Sequence, residues 1–489
     1  MEDRTQELAE KPIGRLLWVY ALPAVISQIV AAVYNLCDRI FIGQGVGDLA
    51  IAGLAITMPV MNIVHAFGAL VGAGSAARIS IVLGRKDYRW AEKILGNSML
   101  LTFFFGALFV PAVYLFMDPI LNAFGASADT ISYAREYMVI VMPGMFLTTL
   151  TFNLTGLIRA TGYPTKAMLI LSGGAVLNII LDPIFIFLLD WGIVGAAWAT
   201  TISMAVSSVF SVAHFVSKKS FIRFKSHCWQ PKLYIFRNIT MIGISPFLMN
   251  ICGAGVIAIL NKQLINYGGD LAVGAVGIVN SVSNIMLLMF LGICQGMQPI
   301  AGYNYGAGLQ HRLKDIYILT VKVCCTVGLV ATILGVFFPQ YVLQLFGPSD
   351  EMLQIGIVVS HFLMLLFPVI GYTITNSQFF MAIDKPWISI VTSLSRQLIF
   401  LLPMAILVPR MFINIDFINL FHVTPDAAFQ NPNGLYGVYA ACTTSDLLGG
   451  VLAFVLMLTQ RKVFRPGYVA PERRPRKEAG PKESDTRDA

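Results

Sequence analysis

Two short stretches of the 489-residue chain hold acids where acids are rare. Asn178-Ile-Ile-Leu-Asp182-Pro183 sets an amide and a carboxylate four residues apart inside a long apolar run. On a helix that spacing stacks both side chains on one face. Asp38 lies in the first apolar run, one turn after Tyr34 and close to Asn35. Thr200 stands in the run that follows Asp182. Two carboxylates, an amide and a hydroxyl make an all-oxygen set that suits a proton or a hard cation such as Na⁺. An acid inside a membrane is expensive to keep and marks a functional site by default. For Asp38 alone, a cap at the wet outer end of its span is an equal alternative. Asp182 in a matching position tips the reading toward ion binding.

These runs read as membrane spans. Hydrophobic residues make up 56% of the chain and charged residues only 12%, with mean hydropathy +0.72. Soluble domains carry about 25% charged residues, so most of this chain belongs in lipid. A span needs about 20 apolar residues. Twelve candidates are present: 14–40, 50–83, 94–117, 131–158, 166–189, 193–215, 238–261, 271–305, 315–338, 354–382, 386–408 and 435–460. Basic residues gather in the loops of one side, as in Arg85, Lys86, Arg89 and Lys93, or Lys218, Lys219, Arg223 and Lys225. Asp48, Asp118, Asp129, Asp190, Asp270, Asp350 and Glu351 mark the other side. The positive-inside rule then puts both termini in the cytoplasm, with the chain in the inner (cytoplasmic) membrane.

Composition also excludes other classes. The net charge of +8 sits in loops, with no basic domain to hold nucleic acid. The polar, mixed-charge start Met1 to Lys11 and the long apolar run behind it do not read as a cleaved signal. The seven cysteines lack CxxC or Cys/His ligand spacing and read as small apolar fillers. No cofactor is implied beyond the coupling ion, and a monomer among membrane lipids is expected.

A helical rise of about 1.5 Å per residue converts position into depth. Asp38 lies well along the first span from Arg15, Asp182 well along the fifth from Lys166, and Thr200 two turns beyond Gly192 on a span running the other way. All of them fall in the outer half of the bilayer, with Asn178 one turn deeper than Asp182.

The chain also repeats itself. Gly47-Asp48-Leu49-Ala50 recurs in the second half as Gly269-Asp270-Leu271-Ala272. In that register Gly74 meets Gly296 and Gly84 meets Gly306, while Pro23 meets Pro246 one position out. Gly192 meets Gly434, at a spacing lengthened by an insertion near 410–433. Two halves of six spans each must lie parallel, related by an axis along the membrane normal. The expected organisation is a six-helix bundle over 1–216, a cytoplasmic linker over 217–236, a second six-helix bundle over 237–460, and a basic, disordered tail over 461–489. The fold class is thus all-α, twelve transmembrane helices in two parallel bundles around a central cavity. The acids do not repeat. Asp38 maps to Asn261, and Asn178 and Asp182 map near Phe400 and Met404. Ion coupling is therefore expected in the first half.

The second half has buried charges of its own, Arg396 and Asp446, both near mid-membrane and read as a structural ion pair. Tyr34, Asn35, His65 and Asn153 are candidates for a substrate cavity between the bundles. For His65 a packed core histidine is the plainer reading. Pro23 lies fifteen residues before Asp38, where it permits a bend.

Four motifs together resemble the multidrug and toxic compound extrusion (MATE) family. They are Tyr34-Asn-Leu-Cys-Asp38, Gly156-Leu-Ile-Arg-Ala-Thr-Gly162-Tyr-Pro-Thr-Lys166, Asn178-Ile-Ile-Leu-Asp182-Pro183 and Gly195-Ala-Ala-Trp-Ala-Thr200. The likeness covers the chain outside its tail. The first-half acids are similar to the DinF-like branch, and Arg396 with Asp446 to MepA-like members. The resemblance implies an antiporter that expels cationic or amphiphilic drugs in exchange for H⁺ or Na⁺. It implies Asp38, Asn178, Asp182 and Thr200 as the ion site, able to take Na⁺ if that is the ion, and Pro23 as the bending proline. A lipid-linked oligosaccharide flippase of the same architecture is the alternative, kept open by Arg396. A membrane-embedded enzyme is disfavoured, since the acids lack a nucleophile or a histidine partner.

Overall fold

A computed structural model describes residues 5–217, 220–412 and 432–468. All regular structure among them is helical. The first half holds α1 (Ile13–Gly45), α2 (Asp48–Gly84), α3 (Tyr88–Leu115), α4 (Ile131–Ala160), α5 (Pro164–Pro183) and α6 (Gly192–Val216). In the second half, the continuous stretch Leu233–Gly306 breaks at Gly269 (φ 68°) into α7 (233–268) and α8 (270–306). Then come α9 (Gln310–Phe337) and α10, a span bent by 46° between Asp350–Met364 and Phe367–Ala382. The span α11 runs through Pro386–Leu394, Ser395–Leu401 and Leu402–Phe412, and α12 covers Pro432–Gln460. Twelve spans in two sets of six result, as the charge pattern of the loops requires.

The repeat explains the turns. Gly47, with φ 110°, ends α1, and its counterpart Gly269 ends α7. Both adopt the left-handed conformation that only glycine reaches at little cost. Two repeat-related spans also widen. Ile184–Leu188 after Pro183 and Ser395–Leu401 are π-helical. Pro183 has no N–H to donate, and Leu189 N–H reaches back five residues to Ile184 O at 2.9 Å.

The largest core among the described residues spans both halves, and two others lie mainly in one half each. The joint core draws on Leu16, Leu83, Leu95 and Leu157 from the first half and Ile300, Leu313 and Phe379 from the second. It lies at the end that carries the basic loops. Toward the other end the first half packs around Leu54, Met138 and Ile193. There the second half packs separately around Val279, Val359 and Tyr439. The bundles therefore meet at the basic end and part at the acidic one. Glycines make the meeting possible. A Cβ at Gly74 would run into the Ile239 carbonyl of α7, and one at Gly296 into the backbone of Ala21 in α1. Gly84 and Gly306 sit in the same way against the carbonyls of Tyr303 and Ile81. Each repeat-related pair does the same work from opposite sides.

The tail differs from expectation at its start. Arg461–Phe464 form a 3₁₀ turn with Val463 buried, and Gln310 Nε2 donates to Tyr468 O at 2.9 Å. Apolar Val463 and Phe464 interrupt the charged run and anchor these residues to the joint core. The rest of the tail and 413–431 of the insertion lie outside the described residues.

Candidate ion and substrate site

Helices α1, α5 and α6 bring the four oxygen residues together. Asn178 Nδ2 donates to Asp182 Oδ1 at 3.2 Å and to Thr200 Oγ1 at 3.3 Å. The carboxyl of Asp38 lies close enough to that of Asp182 for the two acids to act on each other electrostatically. All four are buried, Asp182 completely. Three oxygens of this cluster, Asp38 Oδ1, Asn178 Oδ1 and Asp182 Oδ2, have no donor. Buried acceptors are normally satisfied, and leaving one bare costs about 1–3 kcal/mol. Two facing carboxylates need a proton or a cation between them. The residue types fit either guest.

Tyr137 of α4 also belongs here, outside the set expected from sequence. It is buried and lines the same cavity as Asp38, Asn178 and Thr200. Depth could have found it, because Tyr137 lies six residues into a span that starts on the outer side.

The cluster borders a cavity of about 510 Å³. Tyr34, Asn35, His65, Asn62, Met58 and Arg39 are among its lining. Every lining residue comes from α1, α2, α4, α5 or α6. The cavity thus opens within the first bundle, and not between the bundles where substrate was expected. Small side chains make the space, notably Ala31, Gly174, Ala175, Ser203 and Ser207. His65 faces this cavity and is not the packed core histidine of the plainer reading.

Asn153 is misplaced in the cavity set. It is fully buried and ties three helices together: Ser75 Oγ donates to its Oδ1 at 2.7 Å, and its Nδ2 donates to Ser98 Oγ and Thr102 Oγ1, each at 3.2 Å. A buried amide takes up every donor and acceptor it can reach, and the α2–α3–α4 junction offers them. Pro23 lies within α1, which continues unbroken past it, and Ser27 Oγ donates to the Pro23 carbonyl at 2.9 Å.

The MatE family model matches residues 23–184 and again residues 245–407. The chain belongs to the MatE family. The two matches open at 23 and 245, in the same register that pairs Gly47 with Gly269 in the internal repeat. A multidrug export protein MepA of Staphylococcus aureus strain MSSA476 is 28% identical over 380 residues, covering 77% of this chain and 84% of that protein. MepA of Staphylococcus haemolyticus is also 28% identical, over 376 residues, or 75% of this chain and 81% of that one. Among solved structures, an outward-facing multidrug resistance MATE family transporter superposes with TM-score 0.84 at 23% identity, over 94% of this chain and 98% of its own. A MOP superfamily transporter from Pyrococcus furiosus gives TM-score 0.83 at 22% identity, covering 95% and 99%. At such identities the structural likeness carries the fold.

Outside the cavity, two ion pairs lie largely inside this MatE chain among the described residues. Arg396 Nη1 lies 2.8 Å from Asp446 Oδ1 between α11 and α12, as the sequence reading anticipates. Removing one partner of such a pair typically costs about 3–5 kcal/mol, while replacing both with apolar groups is close to neutral. Arg396→Met is therefore expected to lower thermal stability more than Arg396→Met combined with Asp446→Leu. Equal melting temperatures in detergent would refute the pairing as a stability element. The second pair lies outside that reading. Arg78 Nη1 of α2 lies 3.3 Å from Asp384 Oδ2, both side chains nearly fully buried. It crosses from one bundle to the turn between α10 and α11. A sequence separation of 306 hides it from any local motif.

Proposed function

We propose that this MatE chain is a secondary antiporter that exports cationic or amphiphilic compounds in exchange for H⁺ or Na⁺. The observation that carries the reading is the set of donorless oxygens on Asp38, Asn178 and Asp182 beside a cavity of drug-sized volume. The names of the MepA relatives as multidrug export proteins support the substrate class. In the proposed cycle the acids take up an ion from the outer side while drug leaves. Closing of the outer end and opening at the joint core then release the ion to the cytoplasm and admit new drug. An ion drives this only by binding the two states with different affinity. A proton suits two neighbouring buried carboxyls, because they can share it and leave a single negative charge. Aromatic and Met side chains around the cavity suit varied apolar bodies. The charge of the loops supports a cytoplasmic position for both termini.

The flippase reading loses its support. Arg396 is engaged by Asp446, and among the cavity residues Arg39 and His65 are the basic ones, too few to clamp a pyrophosphate. Purified protein in liposomes, given a pH gradient and a Na⁺ gradient in turn, tests the proposal. Export of a fluorescent lipophilic cation under the pH gradient is expected. No gradient-dependent export under either condition would overturn it.

A further inference from the structure

The segment that links the bundles carries a second group of chemically able side chains. A turn at Ser226–Trp229 sets His227 and Cys228 against Glu92 of α3. One carboxylate oxygen, one ring nitrogen and the thiol sulfur all lie within 4.8 Å of one another. The turn is held there by contacts that do not involve these three groups. Asn97 Nδ2 donates to Gln230 O at 3.1 Å, and Lys232 N–H donates to Asn97 Oδ1 at 2.8 Å. The backbone of Cys228 lies so close to Gly96 that a Cβ there would run into its carbonyl. The site is thus prearranged.

Its existing partners are incomplete. Glu92 Oε1 meets Lys225 Nζ at 2.6 Å. Cys228 Sγ accepts from Lys225 N–H at 3.4 Å and donates to Arg223 O at 3.8 Å. His227 Nε2 lies 3.1 Å from Glu92 Oε2, yet it is buried and forms no well-directed hydrogen bond. An imidazole nitrogen that meets a carboxylate without a directed hydrogen bond, beside a thiol, gives a cation three donors in one place.

We propose that Glu92, His227 and Cys228 bind Zn²⁺, and that the ion fastens the linker to α3. Sulfur, nitrogen and carboxylate oxygen are the donors that zinc takes, at about 2.0–2.3 Å from the metal, which puts ligand atoms about 3.5 Å apart in a tetrahedron. The three groups, already within 4.8 Å of one another, must close by at most about 1.3 Å to reach that spacing. Water fills the fourth position. The thiol proton passes to solvent as the Zn–S bond forms. Lys225, half exposed at 52%, keeps the second carboxylate oxygen or swings into solvent. The sequence hides this site because His227 and Cys228 are neighbours without ligand spacing, and Glu92 lies several spans earlier.

The full-length chain, purified in detergent and stripped with chelator, is loaded with Zn²⁺ and dialysed before elemental analysis. Wild type and the control Cys252→Ser are expected to retain one zinc per chain. Cys228→Ser and Glu92→Gln are each expected to bind at least about tenfold more weakly. Co²⁺ in the wild type should show a sulfur-to-cobalt charge-transfer band that Cys228→Ser lacks. Failure of the wild type to retain zinc above the chelator-treated blank overturns the proposal, whatever the variants do. Equal zinc affinity in wild type and Glu92→Gln, which keeps the shape of the side chain, overturns it as well.

Discussion

Proteoliposomes carrying Asp38→Asn are expected to lose ion-driven export, by roughly 5- to 150-fold, the usual span of coupling between two sites. The amide keeps the shape of the carboxyl but brings its own N–H. It can donate to Asp182, so the pair no longer needs a proton or a cation between its oxygens. The ion then has no differential hold on the two states, and a ligand without differential affinity shifts nothing. Drug binding should survive better than transport, because Tyr34, Asn62, Met58 and the other cavity residues are untouched. Asp182→Asn is expected to act the same way, since Asp182 also accepts from Asn178. Export by Asp38→Asn at the wild-type rate under every imposed gradient would show that coupling lies elsewhere.

The second large effect is expected at Arg78. This side chain is 2% exposed and pairs across the bundle interface with Asp384, in the part of the molecule where the halves meet. Arg78→Met takes the cation from a buried carboxylate and is expected to cost about 3–5 kcal/mol. Arg78→Met with Asp384→Leu should recover a good part of that loss, because no charge is left buried. Thermal unfolding in detergent measures both variants. Equal loss in the single and double variants would mean that Arg78 acts through packing alone. The pair also bridges the two halves near their joint core, so the single variant is expected to expose cysteines introduced beside Gly306 to water-soluble thiol reagents more than wild type does.

Much of this is open to reading in the chain. Twelve spans follow from apolar runs of membrane length, and their grouping follows from an internal repeat that also puts left-handed glycines at Gly47 and Gly269. Asp38, Asn178, Asp182 and Thr200 can be found because depth along a helix is a simple multiple of residue number. Arg396 and Asp446 emerge in the same way, on spans that run in opposite directions. Depth along the membrane is all that such counting gives. It does not tell which neighbour a side chain faces. That is why Asn153 can be listed with a cavity when it holds α2, α3 and α4 together, and why His65 stays divided between a core and the cavity it faces.

The sequence by itself determined what must be buried in lipid, how many times the chain crosses, which halves correspond, and that the acids of the first half have no counterparts in the second. These properties are carried by composition and period, which are local and additive along the chain. The tertiary structure decided the rest. It placed the cavity inside the first bundle, joined Arg78 to Asp384, added Tyr137 to the acids, and laid the linker's His227 and Cys228 on Glu92. Each of these depends on the rotation of one helix about its axis and on its distance from another. Both are set by how glycines and small side chains let backbones approach, and that is a property of pairs of segments that no single segment contains.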